Sequence, residues 1–315
     1  MKKRRLGNSG LEISPLAFGG NVFGWTVDEP TSFRLLDAFV ASGFEFIDTA
    51  DMYSLWAPGN QGGESETIIG RWFKRSGNRN KVLVATKVGM EMGPDKKGLS
   101  KPYIMRSAED SLKRLQTDYI DLYQSHLDDA DTRLEETLEA YAQLIEQGKI
   151  RAIGASNYTG ERLSQAQEVS KKEGLPGYQS LQPHYNLYER ADYEATLEPV
   201  CREIGLGVIP YFPLASGFLT GKYRSEDDLS KSARGQGVKK YLNDRGMRIL
   251  DALDQVSKRL DSTPARVSLA WLIARPGITA PIASATSVEQ LDDLFAATRL
   301  ELDQPSIDLL NEASA

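Results

Sequence analysis

The sequence predicts an α/β protein built as a closed parallel (β/α)8 (TIM) barrel, with residues 1–315 forming one domain. Three observations lead there. Eight short runs rich in β-branched and aromatic residues are spread along the chain. Helical patterns of period 3.6 lie between them. Several runs are almost continuously apolar, as parallel strands buried on both faces must be. An open doubly wound sheet is the competing arrangement, but no G-x-G-x-x-G follows a strand; Phe18-Gly19-Gly20-Asn21 does not fit that pattern. A length of 315 residues is compatible with one barrel of ~250 residues plus additions.

In chain order the predicted strands are 16–20, 44–50, 82–88, 120–126, 150–156, 178–185, 207–214 and 278–284. Helices are predicted over 31–42, 65–75, 102–116, 132–147, 160–173, 192–204, 243–260, 264–274 and 287–297, with a short closing helix in 302–315. The 132–147 segment places Leu134, Leu138, Tyr141 and Ile145 on one face, and Thr132 with Glu135 has the spacing of a capping box. Residues 217–242 are long, polar and partly basic, and are expected to form a mobile loop.

Composition narrows the function. A net charge of −6 without a basic stripe disfavours nucleic acid and anionic membranes as partners. The basic N-terminus is not followed by the apolar stretch of a signal peptide, and no apolar run approaches the ~18 residues of a membrane span. Cys201 is the only cysteine, which fits a reducing, cytoplasmic setting and is expected to be packed in a helix. Two unclustered histidines and one cysteine make no transition-metal site, so any redox chemistry needs an organic cofactor.

Chemistry in a parallel barrel sits at the C-terminal ends of the strands. There, Asp48, Lys87 and His126 recur at intervals of 39 residues, about one βα unit, and should share one rim. An ionised group at the end of an apolar strand needs a partner. Asp48 and Lys87, on adjacent strands, can supply each other. Tyr53, in the loop after Asp48, then faces His126. A neighbouring ammonium is expected to pull a phenol down from its ordinary pKa of ~10, making Tyr53 a general acid for a developing alkoxide. His126 would orient the carbonyl.

This constellation resembles the aldo-keto reductase superfamily over essentially the whole chain. The resemblance rests on Ile47-Asp48-Thr49-Ala50-Asp51-Met52-Tyr53 together with Lys87 and His126, which match that family's tetrad. It implies a barrel opened by an N-terminal β-hairpin and a small-molecule aldehyde, ketone or alcohol as substrate. It further implies nicotinamide held by Ser156, Asn157 and Gln182 and stacked on Tyr211. Gly20, Asn21 and Val22 after the first strand, and Asp48 itself, would touch the cofactor. Phe212, Pro213, Leu214, Ser216, Gly217 and Lys222 would cover its pyrophosphate, and Ser284, Thr286, Gln290 and Asp293 would meet the adenosine end.

The chain departs from the family pattern in places. Arg133 replaces a first-turn proline. The loop after the eighth strand lacks Lys or Arg, and Leu294 stands where an Asn is usual. NADP(H) is the expected cofactor, NAD(H) the alternative, with a modest preference. The basic residues of 217–242 (Lys222, Arg224, Arg234, Lys239 and Lys240) could supply charge to the adenosine end. His184 is expected to be structural. Trp25, Trp56, Met90, Met92 and Leu127 are the expected pocket walls. Two other functions remain open: a redox-sensing subunit of the potassium-channel β type, and a Schiff-base enzyme acting through Lys87.

Overall fold

The computed structural model describes residues 2–315. A hairpin of β1 (Arg4–Arg5) and β2 (Glu12–Ile13) precedes an eight-stranded parallel sheet. Its strands are β3 (Ala17–Gly19), β4 (Phe46–Asp48), β5 (Leu83–Val88), β6 (Ile120–Ser125), β7 (Ile150–Ser156), β8 (Ser180–Gln182), β9 (Gly207–Val208) and β10 (Ile282–Ala283). Thr279 N–H donates to Val208 O (2.7 Å) and Ile282 N–H to Pro210 O (2.9 Å), which joins the last strand to the ninth and closes the barrel.

The strand period of two sorts the side chains. Ala17, Phe46, Ala85, Leu122 and Ala152 form a low interior layer, and Leu6, Leu11 and Ile13 of the hairpin plug it from below. Two residues further along, the same inward phase delivers Asp48, Lys87, Gln124 and Gly154. The outward faces carry residues such as Phe18, Ile47, Val84, Tyr123 and Ile153 into the larger core beneath the helices.

Those helices are α1 (Glu29–Ala41), α2 (Glu64–Ser76), α3 (Lys101–Leu115), α4 (Leu134–Glu146), α5 (Gly160–Glu173), α6 (Glu198–Ile204), α7 (Asp244–Arg259), α8 (Pro264–Ala274), α9 (Val288–Ala297) and α10 (Gln304–Ser314). Side-chain caps fix several starts: Asp28, Thr159, Asn243, Thr263, Ser287 and Asp303 each accept a first-turn N–H.

Three local expectations change. Thr132 does not cap α4; its hydroxyl donates to Asp129 Oδ2 at 2.7 Å, and the helix starts after Arg133 without a side-chain cap. The segment expected as a helix from 192 begins with a π-helical turn, Tyr193–Leu197, before α6. Residues 217–242 are not an irregular loop. They belong to three 3₁₀ turns (Ala215–Thr220, Glu226–Lys231 and Gly235–Tyr241), anchored by buried Phe218, Leu219, Leu229, Val238 and Tyr241. Cys201 is buried as expected, and burial pushes its thiol up to about 12. Among the described residues, no helix is long and apolar enough to cross a membrane.

Candidate active site

At the top of the barrel interior the inward phase ends in one hydrogen-bonded cluster. Lys87 Nζ donates to Asp48 Oδ2 (2.7 Å), to the Thr49 carbonyl (2.8 Å) and to the Tyr53 hydroxyl (2.8 Å). The Tyr53 hydroxyl donates in turn to Asp48 Oδ2 at 3.1 Å. The other Asp48 oxygen accepts from Gln182 Nε2 (2.8 Å) and, at 3.4 Å, from Gln124 Nε2. Asp48 and Lys87 are both fully buried, so the pair is stable only because each charge has several partners.

Gln124 was not singled out from the sequence. Its inward phase, two residues before His126, was the available signal. The same network engages the Gln182 side-chain amide with Asp48, and at 3.4 Å with Gln124 Oε1, while the backbone carbonyl of Gln182 accepts from Ser156 Oγ at 2.9 Å.

Electrostatics separate the two groups that face the mouth. Burial holds the Tyr53 phenol well above its ordinary value, and the Asp48 charge pushes the same way. The expectation that Lys87 lowers it is therefore reversed: desolvation wins, and Tyr53 stays protonated. Burial also lowers Lys87. His126 is held well below its usual value by burial and then by Lys87. Its imidazole is neutral, with a buried Nδ1 that has no partner, so it can orient an oxygen but is a poor proton source. The Tyr53 and His126 ring centroids stand 6.1 Å apart.

The walls come from the loops. Trp25 packs edge-on against Trp56 (5.7 Å), and Trp56 packs against Tyr53 (6.0 Å). Trp56 and Leu127 are exposed. Met90 and Met92 are half-buried, the Met92 sulfur lying beside Gly62.

The residues expected around a dinucleotide fall into three groups. Asn157, itself left-handed, donates to the His126 carbonyl (2.9 Å) and to Ser156 Oγ (3.2 Å), and accepts from the Tyr211 hydroxyl (2.9 Å). His184 stacks on Tyr211 at 5.2 Å.

Phe212 has positive φ, as do Ala215, Ser216 and Gly217 in succession. Such a run costs free energy in L-residues; within it the Ala215 N–H donates to Phe212 O (2.9 Å) and the Gly217 N–H to Leu214 O (2.8 Å). A Cβ on Gly217 would stand 3.6 Å from Lys222 Nζ, so the amine lies beside this turn. Pro213 is buried and Leu214 half-buried behind it. At Gly20 a Cβ would meet Ser65 Oγ at 2.8 Å and Asp48 O at 3.2 Å, so the close packing of this turn leaves no room for a side chain. Val22 is buried in the following turn. These features fit a bound dinucleotide.

The third group is more occupied with its own structure. Ser284 Oγ donates to Asn21 Oδ1 (2.6 Å). Gln290 Oε1 accepts from Thr286 N and Oγ1 (2.9 and 3.1 Å). Asp293 is paired with Arg266 of α8 (Nε 2.9 Å, Nη2 2.5 Å). Arg266 is thus a cation that the sequence of the last loop did not reveal. Of the basic residues expected to serve the adenosine end, Arg224 is tied to Asp254, Lys239 to Glu226 and Lys240 to Glu189.

The model of the Aldo/keto reductase family matches residues 15–315. The chain is 39% identical to the "Uncharacterized oxidoreductase YrpG" of Bacillus subtilis, covering 99% of this chain and 95% of that protein. It is 32% identical to the "Aldo-keto reductase YhdN" of the same organism, over 99% and 94% of the two chains. It is 33% identical to a "Probable voltage-gated potassium channel subunit beta" of rice, over 92% and 89%. With a family match over nearly its whole length and these relatives, the chain belongs to the aldo/keto reductase family and is an oxidoreductase.

Proposed function

We propose that this single barrel domain reduces the carbonyl of a small aldehyde or ketone, reversibly, with NADP(H) preferred and NAD(H) accepted. The observation that carries the reading is the Tyr53 hydroxyl, held between Lys87 Nζ and Asp48 Oδ2 beside a neutral His126. A bound reduced nicotinamide would supply the hydride. Tyr211, Ser156, Asn157 and Gln182 would hold the nicotinamide end, the Ala215–Gly217 turn with Lys222 the diphosphate, and the loop from Ser284 to Asp293 the adenosine.

Tyr53 protonates the substrate oxygen as negative charge develops on it. Lys87, already hydrogen-bonded to that hydroxyl, stabilises the phenolate left behind. Asp48 fixes Lys87 through a buried pair, and Gln182 and Gln124 fix Asp48. His126 directs the carbonyl oxygen toward Tyr53. In the oxidation direction the phenolate takes the proton back.

The similarity to plant potassium-channel subunits runs through the same barrel and singles out no separate surface, so it supports no second reading. The test is a panel of aldehydes, ketones and alcohols with both cofactors, followed by the absorbance of reduced nicotinamide. Wild-type turnover of at least one carbonyl class, lost in Tyr53→Phe, is expected. No turnover of any of them would refute the proposal.

A further inference from the structure

The lower mouth of the barrel, at the opposite end of the strands from Tyr53, holds a cavity of about 620 Å³, a volume in the range of small-molecule sites. Pro15 and Phe44, just before β3 and β4, place it there. Three cations line it: Lys2 before β1, Arg4 within β1 and Arg299 after α9.

No carboxylate lines the cavity. Among the described residues, none lies within 4.0 Å of these three cations either. Glu45, beside Phe44 in sequence, is buried and engaged by the Ser14 N–H and hydroxyl and by Lys3. Acidic residues outnumber basic ones by 44 to 38 in the chain, so three cations gathered without a counterion are not a product of composition.

Helix C-termini explain part of the cluster. Ser42, Ile273 and Thr298 line the cavity and belong to the ends of α1, α8 and α9. Each such end presents about half a unit of negative charge. Arg4 answers one of them, since its Nη1 donates to the carbonyls of Ile273 and Ile278 at 3.0 Å each. Three whole positive charges exceed what three helix ends supply, and among the described residues the side chains of Lys2 and Arg299 make no hydrogen bond. A concave group of uncompensated cations, two of them guanidinia, suits a compact oxyanion of two or more charges, which paired N–H groups can grip.

We propose that this cavity is a second binding site, for a small phosphate-bearing anion, separate from the site around Tyr53. The anion bridges Arg299 to Lys2 and Arg4. Arg4 already reaches Ile278, which pairs with Val208 where the barrel closes. Occupancy therefore fastens the hairpin and the last helices across the closing seam, and stabilises the barrel from the end remote from its chemistry. Phe44 and Ile273 give the cavity an apolar wall that admits an organic carrier of the phosphate.

Pyrophosphate is the probe, titrated by calorimetry into the wild type, the Lys2→Ala/Arg299→Ala double variant, Arg299→Lys and Lys222→Ala, with chloride balancing the ionic strength. Lys2 and Arg299 are exposed, so replacing them removes charge rather than packing. The wild type should show a site with a dissociation constant below about 1 mM, weakened about tenfold or more in the double variant by loss of charge-assisted hydrogen bonds. Arg299→Lys should keep part of the affinity, and Lys222→Ala should keep the site intact. Pyrophosphate should raise the urea midpoint of the wild type more than that of the double variant.

No binding, or binding and stabilisation that survive unchanged in the double variant, overturns the proposal. So does loss of the site in Lys222→Ala alone, which would place the anion at the turn beside Lys222. Succinate, a dicarboxylate, should bind more weakly than pyrophosphate; tighter binding of succinate would assign the cavity to carboxylates and overturn the phosphate reading.

Discussion

Replacing Lys87 by Met separates the two roles that the buried pair plays. Lys87 Nζ makes three bonds within 2.8 Å, to Asp48, Thr49 O and Tyr53. Met fills most of the same volume and makes none of them. Asp48 remains wholly buried, held on one oxygen by Gln182 at 2.8 Å and on the other by Tyr53 at 3.1 Å. Removing one partner of a buried pair costs about 3–5 kcal/mol, a large share of a total stability on the order of 5–15 kcal/mol.

Most of that cost is the orphaned carboxylate, so adding Asp48→Asn to Lys87→Met should restore much of the stability. It should not restore turnover, which should be down by about 100-fold or more in both variants because Tyr53 has lost the cation that stabilises its phenolate. Urea unfolding at pH 7, followed by the fluorescence of the four tryptophans, measures the first effect, and initial rates measure the second. A single variant within about 1 kcal/mol of the parent, or a double variant no more stable than the single one, would refute the reasoning.

Tyr53→Phe should cut reduction by about 10²–10⁴-fold while the cofactor dissociation constant stays the same; turnover within about threefold of the parent would remove Tyr53 from its role. Because burial and Asp48 raise the Tyr53 phenol, reduction should stay level through neutral and mildly alkaline pH while oxidation, which needs the phenolate, climbs; parallel profiles with chemistry rate-limiting would count against this. Asp51 is buried with both carboxyl oxygens unpartnered, and burial and then Glu66 raise its pKa. A carboxyl raised in the folded state stabilises fully below its unfolded pKa of about 3.9 and loses that contribution as pH rises toward the folded pKa, at about 1.4 kcal/mol per pH unit. Asp51→Asn should therefore gain melting temperature relative to the parent between pH 4 and pH 7, and a constant difference would contradict the assignment. Dissociation constants should favour NADPH over NADH by roughly 1.5–3 kcal/mol, one charge-assisted contact; a preference beyond about a thousandfold, or ~4 kcal/mol, would require a further cation, with Arg266 the first to replace.

What the sequence disclosed follows strand phase. Asp48, Lys87 and His126 were legible because a polar residue closing an apolar strand is conspicuous and because their equal spacing matches the βα repeat. Gln124 was hidden by lying inside a strand, where only its inward phase marks it. Arg266 could not be read in this way: it meets its partner, Asp293, across many intervening residues, and no local pattern encodes that encounter. The turns in 217–242 were missed because Phe218, Leu229, Val238 and Tyr241 are buried without a helical or strand period. The direction of the Tyr53 shift was misjudged because a sequence shows neighbouring charges more readily than desolvation.

The bond from Gln182 to Asp48 spans 134 residues of sequence. During synthesis the first half of the chain emerges with Asp48 and Lys87 before their partner on the eighth strand exists. Contacts of such long separation form late, since loop closure must precede them. A half-made barrel would hold its two charged residues in a gap open to water, where they are soluble. Only completion of the second half withdraws them from solvent. Catalytic competence in this protein is therefore a late event on the folding path, and the appearance of activity would report closure of the whole barrel rather than collapse of any part of it.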